Sequence, residues 1–196
     1  MLSKIENMNI EAIARRERYH FLEQVRKRYD ARYIITAHHA VDQTETILGN
    51  MIKWAKIRGL SGMSDISTIP YSLWEGKSGT GSLLRPLLSI TKDEIIQYTT
   101  ENNIEYREDA TNTDTTYDRN RIRHDIVPVL ESLNPNIHNT MNELARYMQN
   151  LHIYLIWQVE DWLKGSLWES ATLDSFLVES FVSQSLFFQW EIITYL

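Results

Sequence analysis

The stretch Tyr33–Thr46, Y-I-I-T-A-H-H-A-V-D-Q-T-E-T, decides the fold of this chain. Tyr33–Ala37 has little polar character and predicts a buried strand, and two histidines follow it directly. Polar residues then begin a predicted helix, Thr44–Lys56. In open α/β sheets, ligands bind in the crevice outside the carboxyl ends of the strands, where helix N-termini also present free N–H groups. We therefore take this strand end as the candidate site.

The flanking segments predict an α/β fold. Asn9–Asp30 has apolar residues near a 3.6-residue spacing, which predicts a helix leading directly into the strand Ala31–Ala37. Such an apolar strand is typical of a parallel sheet covered by helices on both faces. Thr68–Trp74 reads as extended, and a glycine-bracketed loop separates it from Leu83–Leu88, which favours a hairpin or another ordered excursion.

The rest of the chain predicts mainly helices. Thr91 and Glu94 form a capping box for a helix to about Asn102, and Ile104–Arg107 suggests a short strand. Helical periodicity returns from Asp118, in a helix that Pro128 is expected to kink or end, and it continues in Ile137–Lys164 and Leu173–Leu196. We expect residues 1–105 to form a partial α/β domain and residues 106–196 a helical region.

Composition excludes several classes of protein. The 196 residues, 43% of them hydrophobic, are enough for one good core. The chain has no cysteine, which excludes disulfide scaffolds, thiolate zinc sites and sulfur transfer through a protein thiol, and fits a cytosolic protein. We see neither a signal peptide nor a membrane span.

The net charge of −6 is unevenly distributed. Residues 1–35 hold eight Lys or Arg against five acids, whereas residues 151–196 hold one lysine against six acids. Local basic clusters could therefore bind phosphates despite the overall sign, although solvated helix faces explain the first two clusters equally well. The clusters are Arg15, Arg16 and Arg18, then Arg26, Lys27 and Arg28, and later Arg119, Arg121 and Arg123.

The histidine stretch has a structural and a functional interpretation. Adjacent strand residues point to opposite faces, so we expect at most one of His38 and His39 to face a given pocket. Asp42 and Glu45 have capping-box spacing and could serve only the helix N–H groups. Alternatively, Asp42 holds Mg²⁺ with phosphate oxygens, or one imidazole contacts a nucleotide.

A second polar segment combines a loop with an arginine-rich helix start. Three arginines in five residues oppose the helix dipole unless an anion or acidic side chains offset them. An anionic ligand would do so, and so would internal pairing, namely Arg121 with Asp125 and Arg119 with loop acids. The segment comprises Arg107, Asp109, Asn112, Asp114, Tyr117, Arg119, Asn120, Arg121 and Arg123.

Taken together, these segments resemble the bacterial tRNA(Ile)-lysidine synthetases, a branch of the PP-loop ATP pyrophosphatases. The resemblance spans Asn9 to about Pro135, and R-G-L-S-G-M (58–63) also fits it. Four segments carry it in order: N-I-E-A-I-A-R-R-E-R-Y-H-F-L (9–22), T-A-H-H-A-V-D-Q-T-E-T (36–46), L-L-R-P-L-L (83–88) and R-E-D-A-T-N-T-D-T-T-Y-D-R-N-R-I-R (107–123).

The resemblance implies a Rossmann-like adenine nucleotide α-hydrolase fold and a definite reaction. Such enzymes use ATP and Mg²⁺ to adenylate the wobble cytidine of tRNA(Ile) with a CAU anticodon, and L-lysine then displaces AMP to give lysidine. The resemblance places His38, His39 and Asp42 in the catalytic crevice, with Asp42 at the metal. It places Gln43, Glu45 and Thr46 along the nucleotide wall, and on the tRNA side Arg107, Asp109, Asn112, Arg119, Asn120, Arg121 and Arg123.

Two departures from the family pattern affect this expectation. The family carries a phosphate-binding S-G-G-x-D-S loop well before the His-His pair, whereas only 37 residues precede His38 and they contain no such loop. Val41 also stands where the family usually has the first Asp of H-H-x-D-D-Q. We therefore expect a fragment completed by a separate N-terminal half or by a homodimer, through a sticky sheet edge.

Two other interpretations remain. A different PP-loop enzyme, such as a tRNA thiolation enzyme, is disfavoured because the chain has no cysteine. A non-catalytic remnant that binds tRNA or a partner is the alternative to an active ligase.

Overall fold

A small mixed sheet forms the first part of the fold. The computed structural model describes residues 10–53, 56–68, 82–107, 118–166 and 178–196. Three strands, β1 (Tyr33–Ile35), β2 (Ile66–Thr68) and β3 (Ser82–Leu84), lie in the order β1-β3-β2. β1 pairs with β3 in parallel, and β2 pairs with β3 antiparallel. The prediction of a Rossmann-like α/β fold with a partial parallel sheet is confirmed, and the β2–β3 pairing fits the expected hairpin.

The strand β1 is covered on one face only. Ile34 is buried against Tyr19 and Leu83, and Leu22 packs against this cluster. Tyr33 and Ile35, which alternate with Ile34, are 40% and 67% exposed. The prediction of an apolar strand covered on both faces is therefore wrong for the described part of the chain.

Helices flank this sheet close to their predicted positions. The first helix, α1, spans Ile10–Arg28. A helix α4, Lys92–Glu101, begins at the predicted capping box, in which the Thr91 backbone N–H donates to Glu94 at 2.8 Å. The residues 104–107 form no strand and are exposed, so the strand predicted there is wrong.

The helix after the histidines begins earlier than predicted. This helix, α2, spans Ala40–Ile52, and a short α3, Ile57–Leu60, follows it. The N-cap of α2 is His39, and Asp42 is the third residue of α2. The capping box predicted for Asp42 and Glu45 is therefore wrong, because it lies three residues earlier, between His39 and Asp42. The predicted helix position Ala55 and the extended positions 69–74 lie outside the described residues.

The arginine-rich segment forms one continuous helical rod with a π-helical section. It comprises α5 (Asp118–Arg121), the π segment Ile122–Ile126 and α6 (Val127–Leu133). Pro128 lies in the first turn of α6, directly after the π segment. Pro128 therefore coincides with a change of helical type instead of ending the helix.

Three helices complete the chain around a second core. A long helix α7 spans Ile137–Ser166, and α8 (Val178–Val182) and α9 (Leu186–Tyr195) follow it. Val159, Leu163 and Ile192 form the buried centre of the α7–α9 contact. The helix predicted over Leu173–Leu196 is broken at residues 183–185, and positions 173–177 lie outside the described residues.

α7 packs against α2 and α3, so it adjoins the candidate site. Buried His138, near the start of α7, lies 2.8 Å from the Thr44 hydroxyl through Nδ1 and 2.8 Å from Glu131 through Nε2. None of the helices in the described segments is long and apolar enough to cross a membrane. The division at residues 105 and 106 stays a prediction.

Candidate functional site

Two carboxylates and two guanidiniums form an ion network at the start of α2. The Arg119 side chain bridges Asp42 and Glu45, with Nη2 2.5 Å from Asp42 Oδ1 and Nε 2.6 Å from Glu45 Oε2. Arg123 donates through Nε to Glu45 Oε1 at 2.5 Å, and its Nη2 lies 3.7 Å from Asp42 Oδ1. The network joins α2 to the α5–π segment, which is more than 70 positions away in sequence.

Helical spacing explains why these four side chains meet. Asp42 and Glu45 are three residues apart on α2, and Arg119 and Arg123 are four apart, so each pair lies on one helical face. The Glu45 side chain is completely buried, whereas the Arg119 side chain is 37% exposed. A buried carboxylate is stable only when it is paired, and the two arginines supply the pairing. The side chains of Arg119 and Arg123 are thus partly exposed to solvent, while the buried Glu45 carboxylate balances their charge.

The network bears on the alternatives for the arginine segment. Acidic side chains on α2 offset Arg119 and Arg123, whereas the acids of the predicted loop lie outside the described residues. The predicted Arg121–Asp125 pair is present at 3.8 Å, with both side chains more than half exposed. Arg121 therefore remains the most accessible cation of the three.

The two histidines lie at the edge of this network. The His39 backbone N–H donates to Asp42 Oδ2 at 3.0 Å, and His39 Nε2 lies 3.5 Å from the same oxygen. His38 Nδ1 is 2.8 Å from the Thr36 hydroxyl. Because β1 ends at Ile35, strand alternation does not govern the pair, and both imidazoles feel the charge of Asp42. His39 contacts Asp42 directly, whereas the hydrogen bond of His38 is to Thr36, and the expectation that at most one histidine faces a given pocket stays a prediction.

Both imidazoles favour the neutral form. Burial lowers the pKa of His38, Asp42 opposes this shift, and nearby Arg85 and Arg15 add to it. Burial also lowers the pKa of His39, against the attraction of Asp42 and Glu45. The Nδ1 atom of His39 is buried without a hydrogen-bond partner. A neutral imidazole can accept a proton at neutral pH, which suits a site for acid–base chemistry.

Arg85, which the site prediction left out, contributes positive charge here. It is 6% exposed, and Nη1 donates to the Ser64 carbonyl at 2.6 Å and to the Ser67 hydroxyl at 3.1 Å. Its Nε has no hydrogen-bond partner, and burial lowers the pKa of the guanidinium. The signal in the sequence was the lone charge in the leucine-rich L-L-R-P-L-L.

Arg15 is the other cation that the prediction placed elsewhere. The sequence showed it only as part of a basic cluster on α1, but its charge acts on both His38 and Arg85. The charges of three guanidiniums, those of Arg15, Arg85 and Arg119, thus act on His38. Such a concentration of positive charge in a crevice favours an anionic ligand.

Gln43 and Thr46, which were predicted along the nucleotide wall, use their side chains internally. The Gln43 amide is buried and closes a two-way hydrogen bond with the backbone of Met63, at 2.9 Å and 2.8 Å. The tight turn beside it needs Gly62, which has a φ of 58° and whose added Cβ would lie 2.7 Å from the Gln43 oxygen. The Thr46 hydroxyl donates to the Asp42 carbonyl at 2.8 Å.

The remaining predicted residues lie at the margin. Arg107 is exposed at the end of a described segment, and Asn120 is half-buried on α5. Asp109 and Asn112 lie outside the described residues. Within the described segments, no three histidine or acidic side chains cluster in a way that could hold a metal ion. Asp42 is engaged by Arg119, so the described side chains do not form a Mg²⁺ site by themselves.

Comparison with known protein families identifies the family of this chain. A model of the PP-loop domain matches residues 2–130, which include both α2 and the arginine-rich helix. The chain belongs to the PP-loop family. The predicted recognition is thus confirmed, and the PP-loop assignment implies ATP as a ligand.

Named PP-loop relatives agree with the resemblance. The chain is 38% identical over 148 residues to a tRNA(Ile)-lysidine synthase of Bacillus thuringiensis, covering 76% of this chain and 29% of that protein. It is 36% identical to the synthase of Bacillus subtilis, over 71% of this chain and 28% of that protein. The synthase of Porphyromonas gingivalis is 39% identical over 74% of this chain and 29% of its own length. The chain thus spans less than a third of the length of these relatives.

Positive charge and the N-terminus of α2 lie together at the end of β1. Arg15 and Arg85 direct positive charge at His38, and the unpartnered Nδ1 of His39 lies at the N-terminus of α2. Backbone N–H groups at a helix N-terminus favour anions in the same way. The chain supplies no glycine-rich phosphate loop of the S-G-G-x-D-S type.

Proposed function

We propose that this chain carries one wall of the active site of an ATP-dependent tRNA(Ile)-lysidine synthetase. The reaction is adenylation of the wobble cytidine in a CAU anticodon, followed by attack of the L-lysine amine to give lysidine. Membership of the PP-loop family supports ATP use, and the similarity to tRNA(Ile)-lysidine synthases supports a tRNA substrate. A tRNA substrate also implies a cytoplasmic protein.

The meeting of two distant segments carries this proposal. The family-like segments 36–46 and 107–123 are joined by the ion network of Asp42, Glu45, Arg119 and Arg123. The network lies at the carboxyl end of a parallel strand, where α/β folds bind ligands.

The proposal gives each group a role. ATP supplies the activating adenylyl group, and the positive charges of Arg15 and Arg85 balance the charge on its departing pyrophosphate. The neutral imidazole of His38 or His39 accepts a proton as the lysine ammonium becomes a nucleophilic amine. Asp42 and Glu45 hold Arg119 in place. The described residues do not form a Mg²⁺ site, so none of these roles depends on a metal ion.

The tRNA-facing side is proposed to lie along α5 and the loop before it. Arg121 is exposed and only loosely paired, so it can meet a phosphate without disturbing the fold. Asn120 precedes it on α5, and the resemblance assigns Arg107, Asp109 and Asn112 to the same side. The charges of Arg119 and Arg123 are balanced by Asp42 and Glu45. These two arginines therefore contribute to tRNA binding only through the exposed parts of their side chains.

We also propose that a partner completes the sheet next to β1. β1 is an edge strand in the described sheet, and Tyr33 and Ile35 expose apolar surface beside it. An uncovered edge strand is a template for pairing. A separate polypeptide carrying the phosphate-binding loop fits this edge, and a second copy of the chain is the alternative.

A chimaera tests the function directly. The segment of the Bacillus subtilis relative that matches this chain is replaced by this chain, and ATP-dependent incorporation of labelled lysine into a tRNA(Ile) transcript is measured. We expect an active chimaera, an inactive Asp42→Asn form and no activity from the chain alone. Asp125→Asn, which alters an exposed carboxylate, is the matched control.

Two results would change this proposal. Lysine incorporation by the chain alone would show that no partner is needed. A chimaera that folds and binds tRNA but incorporates no lysine would favour a non-catalytic tRNA-binding role.

A further inference from the structure

A polar pocket lies between α2 and α7, beside the crevice. It has a volume of about 370 Å³, at the small end of ligand pockets. Gln43 forms part of its wall and is adjacent in sequence to Asp42. Because successive helical residues are about 100° apart, the pocket opens on the flank of α2 next to the ion network.

The wall of this α2–α7 pocket is rigid. Gln149 of α7 donates to the carbonyls of Ser61 and Met63 at 2.8 Å and 3.0 Å, and Gln43 holds Met63 from the other side. The loop that ends at Met63 is therefore fixed by both helices. Leu88 is buried on another side and gives the pocket an apolar surface.

Several polar groups of the pocket have no partner among the described residues. The side-chain nitrogen of Asn142 is buried without a hydrogen bond. The exposed residues Glu143, Arg146 and Asp65 line the same space, and no salt bridge joins them to one another. A buried amide nitrogen without an acceptor costs free energy, so the pocket is suited to a ligand that supplies one.

The lining selects a ligand with adjacent donors and acceptors. A simple anion would meet the two carboxylates, and a simple cation would meet Arg146, so neither suits the whole pocket. The edge of a nucleobase presents donor and acceptor atoms side by side, and side-chain amides and carboxylates are the groups that read it. Leu88 and Met63 offer apolar contact to the base face.

We propose that the α2–α7 pocket binds an unstacked nucleobase of the RNA substrate. Asn142 donates to the base edge, Glu143 or Asp65 accepts from an exocyclic amine, and Arg146 meets the adjoining phosphate. The proposal rests on the proposed RNA substrate and adds a second contact to it, outside the ion network. Such a ligand would explain why the polar side chains that line this pocket form no salt bridge with one another.

Binding of short single-stranded RNAs tests the pocket. The full chain is titrated with labelled homopolymers of C, U and A and with an abasic ribose-phosphate oligomer of the same length, and fluorescence anisotropy gives Kd. We expect at least one homopolymer to bind more tightly than the abasic oligomer. Asn142→Ala should weaken that binding about fivefold, the effect of one hydrogen bond, and leave the abasic oligomer unaffected.

Two further variants separate pocket binding from folding. Asn150→Ala, at an exposed asparagine of the same helix, is the matched control and should change nothing. Glu143→Gln alters an exposed pocket side chain and should change the ranking of the homopolymers without changing the melting temperature. Equal effects of Asn142→Ala on base-containing and abasic RNA, or no effect on either, would overturn the inference.

Other arms identify the ligand source and separate the two proposals. Displacement of the RNA by free AMP or CMP, at concentrations similar to that of the RNA, would assign the pocket to a free nucleotide. Displacement by L-lysine would assign it to the amino acid. Either result would overturn the RNA inference. If the chain binds no RNA at all, the proposed tRNA substrate fails with it. If it binds RNA but ignores the bases, only the pocket inference fails.

Discussion

Nε of Arg119 lies 2.6 Å from Oε2 of Glu45, although 74 positions separate the two residues and the Glu45 side chain is fully buried. This contact ties the arginine-rich helix to the start of α2. It shows that the positive charge of the helix is partly structural, so substitutions here report on stability as well as on binding.

Removing the charge of Glu45 should destabilise the fold. Glu45→Gln leaves Arg119 and Arg123 without their shared carboxylate, and we expect a loss of about 2–3 kcal/mol in the free energy of unfolding. The value lies at the lower end for buried pairs because both guanidiniums reach solvent. Urea denaturation measures it, with Asp125→Asn at the exposed pair as a control that should change stability by less than about 0.5 kcal/mol. Equal effects of the two substitutions would show that the network is not a buried ion pair.

A glycine pair tests the turn that the site needs. Gly62→Ala puts a Cβ at a φ of 58° and 2.7 Å from the Gln43 oxygen, so we expect a loss of more than about 1 kcal/mol and displacement of the Gln43 amide. Gly165→Ala is the matched control, because a Cβ in this part of α7 meets open space and should stabilise the helix by up to about 1 kcal/mol. Thermal melting compares the two, and a neutral Gly62→Ala would contradict the tight turn.

The sequence predicted the elements better than their contacts. The helix predicted over Asn9–Asp30 and the capping box at Thr91 agree with the structure because both depend on local spacing. Glu45 was placed by the same local reasoning in a capping box, whereas its actual partners come from a helix far along the chain. Local patterns carry no information on such a pairing.

Burial was the other property that local pattern could not supply. Tyr33–Ala37 is apolar, but covering both faces of β1 requires neighbouring elements that the described chain does not provide. Similarly, the leucine-rich surroundings of Arg85 hint at its burial, but local pattern cannot predict its partners Ser64 and Ser67, which come from a different segment.

Stability should fall as the pH is lowered through the histidine range. Burial lowers the pKa values of His38 and His39 in the folded state, so below about pH 6.5 the unfolded chain binds protons that the folded chain excludes. The free energy of unfolding therefore decreases from about pH 7.5 to about pH 5.5, above the range of ordinary carboxylates. A His38→Gln, His39→Asn double variant should flatten this dependence, whereas His124→Gln, at an exposed site, should preserve it. A steeper pH dependence of the free energy of unfolding in the double variant would contradict the expected effect of the two histidines.

Arg121 and Arg119 should respond differently when RNA binding is measured. The Arg121 side chain is 67% exposed and lies 3.8 Å from an equally accessible Asp125, so Arg121→Gln should fold normally. We expect it to weaken RNA binding and to reduce the salt slope by about one, as loss of one phosphate contact does. Arg119→Gln, in contrast, should lower stability through loss of the Asp42 and Glu45 contacts. Lys164→Gln, in the acidic C-terminal region, is the control for net charge. An unchanged salt slope in Arg121→Gln would show that the arginines of this segment serve internal pairing and do not contact phosphate.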